Sequence, residues 1–156
     1  MKIKWLRQIW VIGLVFCAGV VFAQTTPPTI SEEQDEVQVD YADTFENIQT
    51  ADSTVQKFRG NVELRQDSIF MYCDSATIVN KTYVVAQGNV IIQQGDTTSV
   101  FADSLVYQGD VKQAVLFGNV ALVNGEQKLF TDRLDYDLNT KTAVYTEGAT
   151  LTNEDA

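Results

Sequence analysis

A short motif recurs along the chain about every 30 residues. A sequence that repeats at that period folds as a stack of similar units rather than as one unrepeated core. Gly60-Asn61-Val62, Gly88-Asn89-Val90 and Gly118-Asn119-Val120 recur at a nearly constant interval, and Gly148-Ala149-Thr150 is a degenerate fourth copy one interval further on. A second motif lies between them at the same interval: Tyr72-Cys73-Asp74-Ser75-Ala76, Phe101-Ala102-Asp103-Ser104-Leu105 and Phe130-Thr131-Asp132-Arg133-Leu134. Tyr41-Ala42-Asp43-Thr44-Phe45 is an earlier copy, one interval before Asp74. Turn-like residues fall roughly midway between motifs, at Val79-Asn80-Lys81, Gly95-Asp96, Gly109-Asp110, Asn124-Gly125 and Asn139-Thr140. Such pairs supply the positive φ that tight hairpins need.

The stretches between turns are rich in Val, Ile, Thr, Tyr and Phe and show no helical period, which predicts strands. Val62/Leu64, Val90/Ile92 and Val120/Leu122 alternate as half-buried strands do. Each stretch is about twice the usual strand length, and each carries one of the two motifs at its middle. The motifs are therefore read as bends, centred on Gly60, Asp74, Gly88, Asp103, Gly118, Asp132 and Gly148. A glycine tolerates a bulge. At each aspartate the apolar alternation slips by one residue, so an extra residue there would keep the carboxylate off the apolar face. Stacked bends fold one sheet over on itself. The expected fold is all-β: an antiparallel, bent-strand jelly roll or open β-solenoid with an apolar interior. A right-handed parallel β-helix also accommodates a coil of this length, but the tight turns favour antiparallel hairpins.

The N-terminus reads separately. Lys2, Lys4 and Arg7 precede the uncharged run Ile9–Phe22, and Val21-Phe22-Ala23 ends in small residues at the cleavage positions. That is the pattern of a secretory signal peptide over residues 1–23, too short to span a bilayer. Residues 24–36 hold both prolines and an acidic cluster, and read as a disordered leader. Residues 37–156 form the β-repeat domain. Removal of the signal peptide takes away Lys2, Lys4 and Arg7 and no acid, so the formal charge moves from −10 to −13. This excludes a nucleic-acid partner, whose phosphates demand Lys and Arg. The chain has no His, and Cys73 alone survives cleavage. No cofactor, metal site or catalytic residue is assigned. Asp132, Asp135 and Asp137 are clustered, but the first is a bend residue and the others lead into a turn. The same account replaces a Ca²⁺ site at Asp135/Asp137/Asn139. Cys73 reads as a small buried hydrophobe.

The segments Ala102-Asp103-Ser104-Leu105-Val106-Tyr107 and Asp132-Arg133-Leu134-Asp135-Tyr136, alternating with the Gly-Asn-Val segments, resemble the OstA-like (LptA) family over residues 37–152. The resemblance implies a twisted antiparallel jelly roll with an apolar groove along its length. It also implies a periplasmic role in outer-membrane biogenesis, with lipopolysaccharide acyl chains held in the groove and similar domains, or a second copy, joined through edge strands. The residues flanking the bends are the groove candidates: Val62, Leu64 and Tyr72; Val90, Ile92, Phe101 and Leu105; Val120, Leu122, Phe130 and Leu134. The alternative is a structural repeat module with a closed core and no lipid cargo. Export is checked by intact-mass spectrometry of the secreted chain, which is expected to begin at Gln24.

Overall fold

The structure, a computed structural model, describes residues 36–146 and 148–153. The expected signal peptide and all but the last residue of the acidic leader lie outside the described residues.

Among the described residues, ten strands form one sheet: β1 (Gln38–Tyr41), β2 (Thr44–Gln49), β3 (Thr54–Gln66), β4 (Ile69–Val79), β5 (Tyr83–Gln94), β6 (Thr98–Gln108), β7 (Gln113–Asn124), β8 (Gln127–Asp137), β9 (Thr142–Val144) and β10 (Ala149–Asn153). Every pairing is antiparallel, and the long strands pair in chain order. β1 and β2 both lie on β3, and β9 and β10 both lie on β8. β1 with β2, and β9 with β10, are thus the two arms of single bent strands. No parallel coil is present among the described residues.

All six long strands break register at their midpoints. Between β3 and β4 the ladder jumps from Arg59↔Ser75 to Val62↔Cys73, so Gly60 and Asn61 together oppose Asp74 alone. The extra residue therefore belongs to the glycine strand, not to the aspartate as the sequence pattern suggested. Gly60, Gly88 and Gly118 have φ of +75 to +79°, and Asn61, Asn89 and Asn119 have φ of +46 to +47°. Two successive left-handed residues turn the strand sharply, and Asn is the non-glycine residue best suited to that region. The aspartate of a neighbouring strand seals each bend. Asn61 Nδ2 donates to Asp43 Oδ2 (3.1 Å), Asn89 Nδ2 to Asp74 Oδ2 (2.8 Å) and Asn119 Nδ2 to Asp103 Oδ2 (2.8 Å). A Cβ at Gly88 would sit 2.3 Å from Asp74 Oδ2, so the glycine is required by space as well as by φ.

The fourth clasp is missing its amide. Ala149 replaces the asparagine, and Thr131 Oγ1 donates to Gly148 O instead (3.3 Å).

The bends divide the sheet into two facing halves. Half A holds residues 54–59, 75–79, 83–87, 104–108, 113–117 and 133–137, with β2 and β9. Half B holds 62–66, 69–73, 90–94, 98–102, 120–124 and 127–131, with β1 and β10. Their inner faces make one apolar core. Val62, Val84, Val100, Leu105, Leu116 and Leu134 are all fully buried within it. Gly88→Ala is expected to destabilise the fold by about 1–3 kcal/mol from the left-handed backbone alone, with the clash adding to it. Chemical denaturation of Gly88→Ala against Gly95→Ala, where a Cβ meets nothing within 4 Å, separates the two contributions.

Candidate functional site: the apolar interior and its mouth

Opposite the bends, the hairpin tips of the two halves meet and close the mouth of the folded-over sheet. The sequence pattern implied an interior open along this side. Instead, buried and half-buried polar side chains cross it. Tyr107 in half A donates its hydroxyl to Gln66 Oε1 in half B, and Gln66 Nε2 donates to Gly109 O (3.0 Å). The same arrangement recurs where Tyr136 donates to Gln94 Oε1 (3.3 Å) and Gln94 Nε2 donates to Leu138 O (2.7 Å). Ion pairs lie over these contacts. Lys112 Nζ reaches Asp67 Oδ2 (2.6 Å), and Lys81 Nζ reaches Glu36 Oε1 (2.8 Å), where Val37 N also donates to Lys81 O (2.9 Å).

These contacts fix an offset between the halves. β3 meets β6, β5 meets β8, and β1 meets the β4–β5 turn. Each B arm thus faces the A arm three strands ahead. The offset leaves each half uncovered at one end.

In half B the inward row Leu64, Met71, Ile92, Val100, Leu122, Leu129 and Leu151 runs across the strands in register. Leu64, Met71, Ile92 and Val100 are at most 1% exposed, Leu122 is half-buried, Leu129 is 8% exposed and Leu151, at the end of the row, 70%. In half A the inward pair Phe45 and Phe58 stacks at 5.0 Å between centroids, with Phe45 58% exposed. A hollow of about 460 Å³ opens there, lined by Val39, Ala42, Phe45, Gln56 and Phe58 among others. The interior is therefore closed in its laced middle and emerges as an apolar ledge at each end.

The groove candidates divide by face. Val62, Leu64, Val90, Ile92, Leu105, Val120 and Leu134 are buried in the interior. Leu122 faces inward on the half-B ledge and is half-buried. Tyr72, Phe101 and Phe130 point outward, because the inward residues of those arms have the opposite parity: Met71 and Cys73, Val100 and Ala102, Leu129 and Thr131. The outward three fall in one row, Tyr72↔Ile91↔Phe101↔Ala121↔Phe130, and pack across strands on the outer face.

The Gln, Tyr and Lys residues at the mouth were missed in the sequence, although they follow the repeat. Gln66, Gln94 and Asn124 recur once per hairpin, and so do Lys81, Lys112 and Lys141.

Asp137 accepts backbone N–H bonds from Thr140 (3.0 Å) and Asn139 (2.9 Å), which hold its carboxyl below the usual range. It serves as a turn acceptor. No cluster of metal-ligating residues occurs among the described residues. Cys73 is buried and unpaired with another cysteine, and burial pushes its thiol up to about 11.

The family model for OstA-like proteins matches residues 34–156. The chain belongs to the OstA-like family. No curated protein matches the chain. Among solved structures, the crystal structure of LptH from Pseudomonas aeruginosa is similar. It is described as the LptA-homologous periplasmic component of the conserved lipopolysaccharide transport device. It superposes with a TM-score of 0.64 at 16% identity, over 76% of this chain and 94% of that one. At that identity the likeness establishes the shared fold.

Burial raises the Tyr107 hydroxyl well above its ordinary value near 10. The folded state then keeps a proton that the unfolded chain gives up. Stability from this group is complete below pH 10 and falls above it, by about 1.4 kcal/mol per pH unit until the folded value is reached. Tyr107→Phe is expected to flatten that alkaline decline in pH-dependent denaturation. At neutral pH it is expected to cost about 1–3 kcal/mol, because the buried Gln66 Oε1 loses the hydroxyl that donates to it.

Proposed function

We propose that this OstA-like chain is a periplasmic component of lipopolysaccharide transport. In this reading its apolar interior shelters acyl chains while the saccharide stays in water, and its edge strands join similar β domains. It acts as a carrier and bridge, without a catalytic step. The observation that carries the reading is the continuity of the interior with exposed ledges at both ends. Leu122, Leu129 and Leu151 at one end, and Phe45 with Phe58 at the other, are inward-facing apolar residues where the interior runs out from under its cover. Acyl burial there is worth about 0.8 kcal/mol per CH₂. The fold shared with LptH and the family membership support the same reading. The outer edge of β10, beside which no further strand lies among the described residues, is also a ready template for another strand.

One observation favours the alternative of a closed structural module: the middle of the interior is fully buried and laced at its mouth. In the proposed reading, lipid therefore engages the ledges first, and the middle opens only if the Gln–Tyr contacts part.

A photo-crosslinking amino acid placed in turn at Phe45, Leu122, Leu151, Phe101 and Phe130 tests this in cells. Lipopolysaccharide adducts are expected at the three inward ledge positions and not at the two outward ones. Adducts at none of the inward positions would favour the closed module.

A further inference from the structure

The contacts at the mouth follow a rule that the chain obeys within itself and that, among the described residues, is left unfulfilled at one end. Each half-B tip offers an inward residue with an acid within two positions: Val37 with Glu36, Gln66 with Asp67, Gln94 with Asp96 and Asn124 with Glu126. Each of the first three faces a half-A tip carrying a lysine with positive φ: Lys81, Lys112 and Lys141. The first two pairs close as ion pairs, and the second and third tips add a tyrosine five positions before the lysine, Tyr107 and Tyr136. The fourth half-B tip, Asn124-Gly125-Glu126 between β7 and β8, has no half-A tip three strands ahead of it among the described residues. Asn124 and Glu126 are exposed there, beside the ledge of Leu122, Leu129 and Leu151.

We infer that this end of the molecule is built to receive a β-hairpin tip of another OstA-like chain carrying Tyr-x4-Lys, and that it discriminates against a second copy of itself. The inference rests on the proposed edge-to-edge joining and names the partner's chemistry. If β1 and β2 of a second copy added beside β10, the offset of three strands would bring the copy's β2–β3 turn over Asn124 and Glu126. The inward residue of that turn is Asn47, in register with Gln56. The hairpin beyond Asn47 is two residues longer than those beyond Tyr107 and Tyr136, which hold Lys112 and Lys141, and its turn, Thr50-Ala51-Asp52-Ser53, carries an acid and no lysine. The copy thus presents Asn where the internal rule places Tyr, and a turn with an acid in place of any lysine. That turn would bring Asp52 to the side of Glu126, a like-charge approach that disfavours the pairing. Two chains of charge −13 also repel each other overall. A tip with tyrosine and lysine would instead supply a donor to Asn124, a counter-charge to Glu126 and cover for the ledge.

A tyrosine at Asn47 and a lysine at Asp52 install the missing chemistry in the chain itself. Both are exposed, so Asn47→Tyr/Asp52→Lys should fold normally, as circular dichroism and thermal melting would verify. Sedimentation velocity on the mature chain is expected to show a monomer for the native sequence. The double variant is expected to form head-to-tail oligomers with an association constant at least tenfold higher, weakened by salt and abolished by adding Glu126→Lys. Native chains that associate as tightly as the double variant, or a double variant that gains nothing or is indifferent to Glu126→Lys, would overturn the inference. No lipid is present in this experiment, so its failure leaves the lipid-carrying reading standing, and failure of the crosslinking test leaves this one standing.

Discussion

The architecture depends on one local interaction: an aspartate leaning into a bend made by glycine and asparagine in the neighbouring strand. The carboxylate occupies the space where a Cβ would stand, and the asparagine amide holds it there. Without the two left-handed residues, a strand of 11 to 13 residues would run straight and the sheet would be flat. With them, every strand turns at the same level and the sheet closes over its own apolar face. The clasps at Gly60, Gly88 and Gly118 are complete. The one at Gly148 lacks its asparagine, at the end where the interior begins to emerge.

The second determinant is the offset at the mouth. Polar groups set among aliphatic side chains are costly unless satisfied, and Gln66 and Gln94 are satisfied by the tyrosine and carbonyl three strands ahead. The apolar surface could tolerate several registers of one half against the other, whereas these contacts select one. The ends follow from that selection, since sliding the halves to zero offset would cover both ledges.

Much of this was legible in the sequence, because the bends are written in residue types with a physical reason to be there. Gly-Asn at a fixed period, and a slip in apolar parity at each aspartate, together demand folded-over strands. The same parity rule, applied without exception, would have placed Tyr72, Phe101 and Phe130 outside. Their place as apolar residues flanking the bends suggested the interior, but alternation from Met71, Val100 and Leu129 governs which way they point. The seam was harder to read. Its partners lie 41 to 44 residues apart, which is not the repeat period but one period plus the offset between halves. That offset is a property of packing, and only the folded chain reveals it. The ledges were hidden for the same reason, since Leu151 and Leu64 belong to equivalent positions and differ only in what covers them.

The central claim is that acyl chains engage the inward ledges of the folded-over sheet. Methyl NMR of the mature chain titrated with lipopolysaccharide tests it most directly. The account predicts shifts at Leu122, Leu129 and Leu151, with the outward methyls of Val85, Val106 and Val115 unmoved. Shifts confined to the outward methyls, or none at saturating lipid, would contradict it.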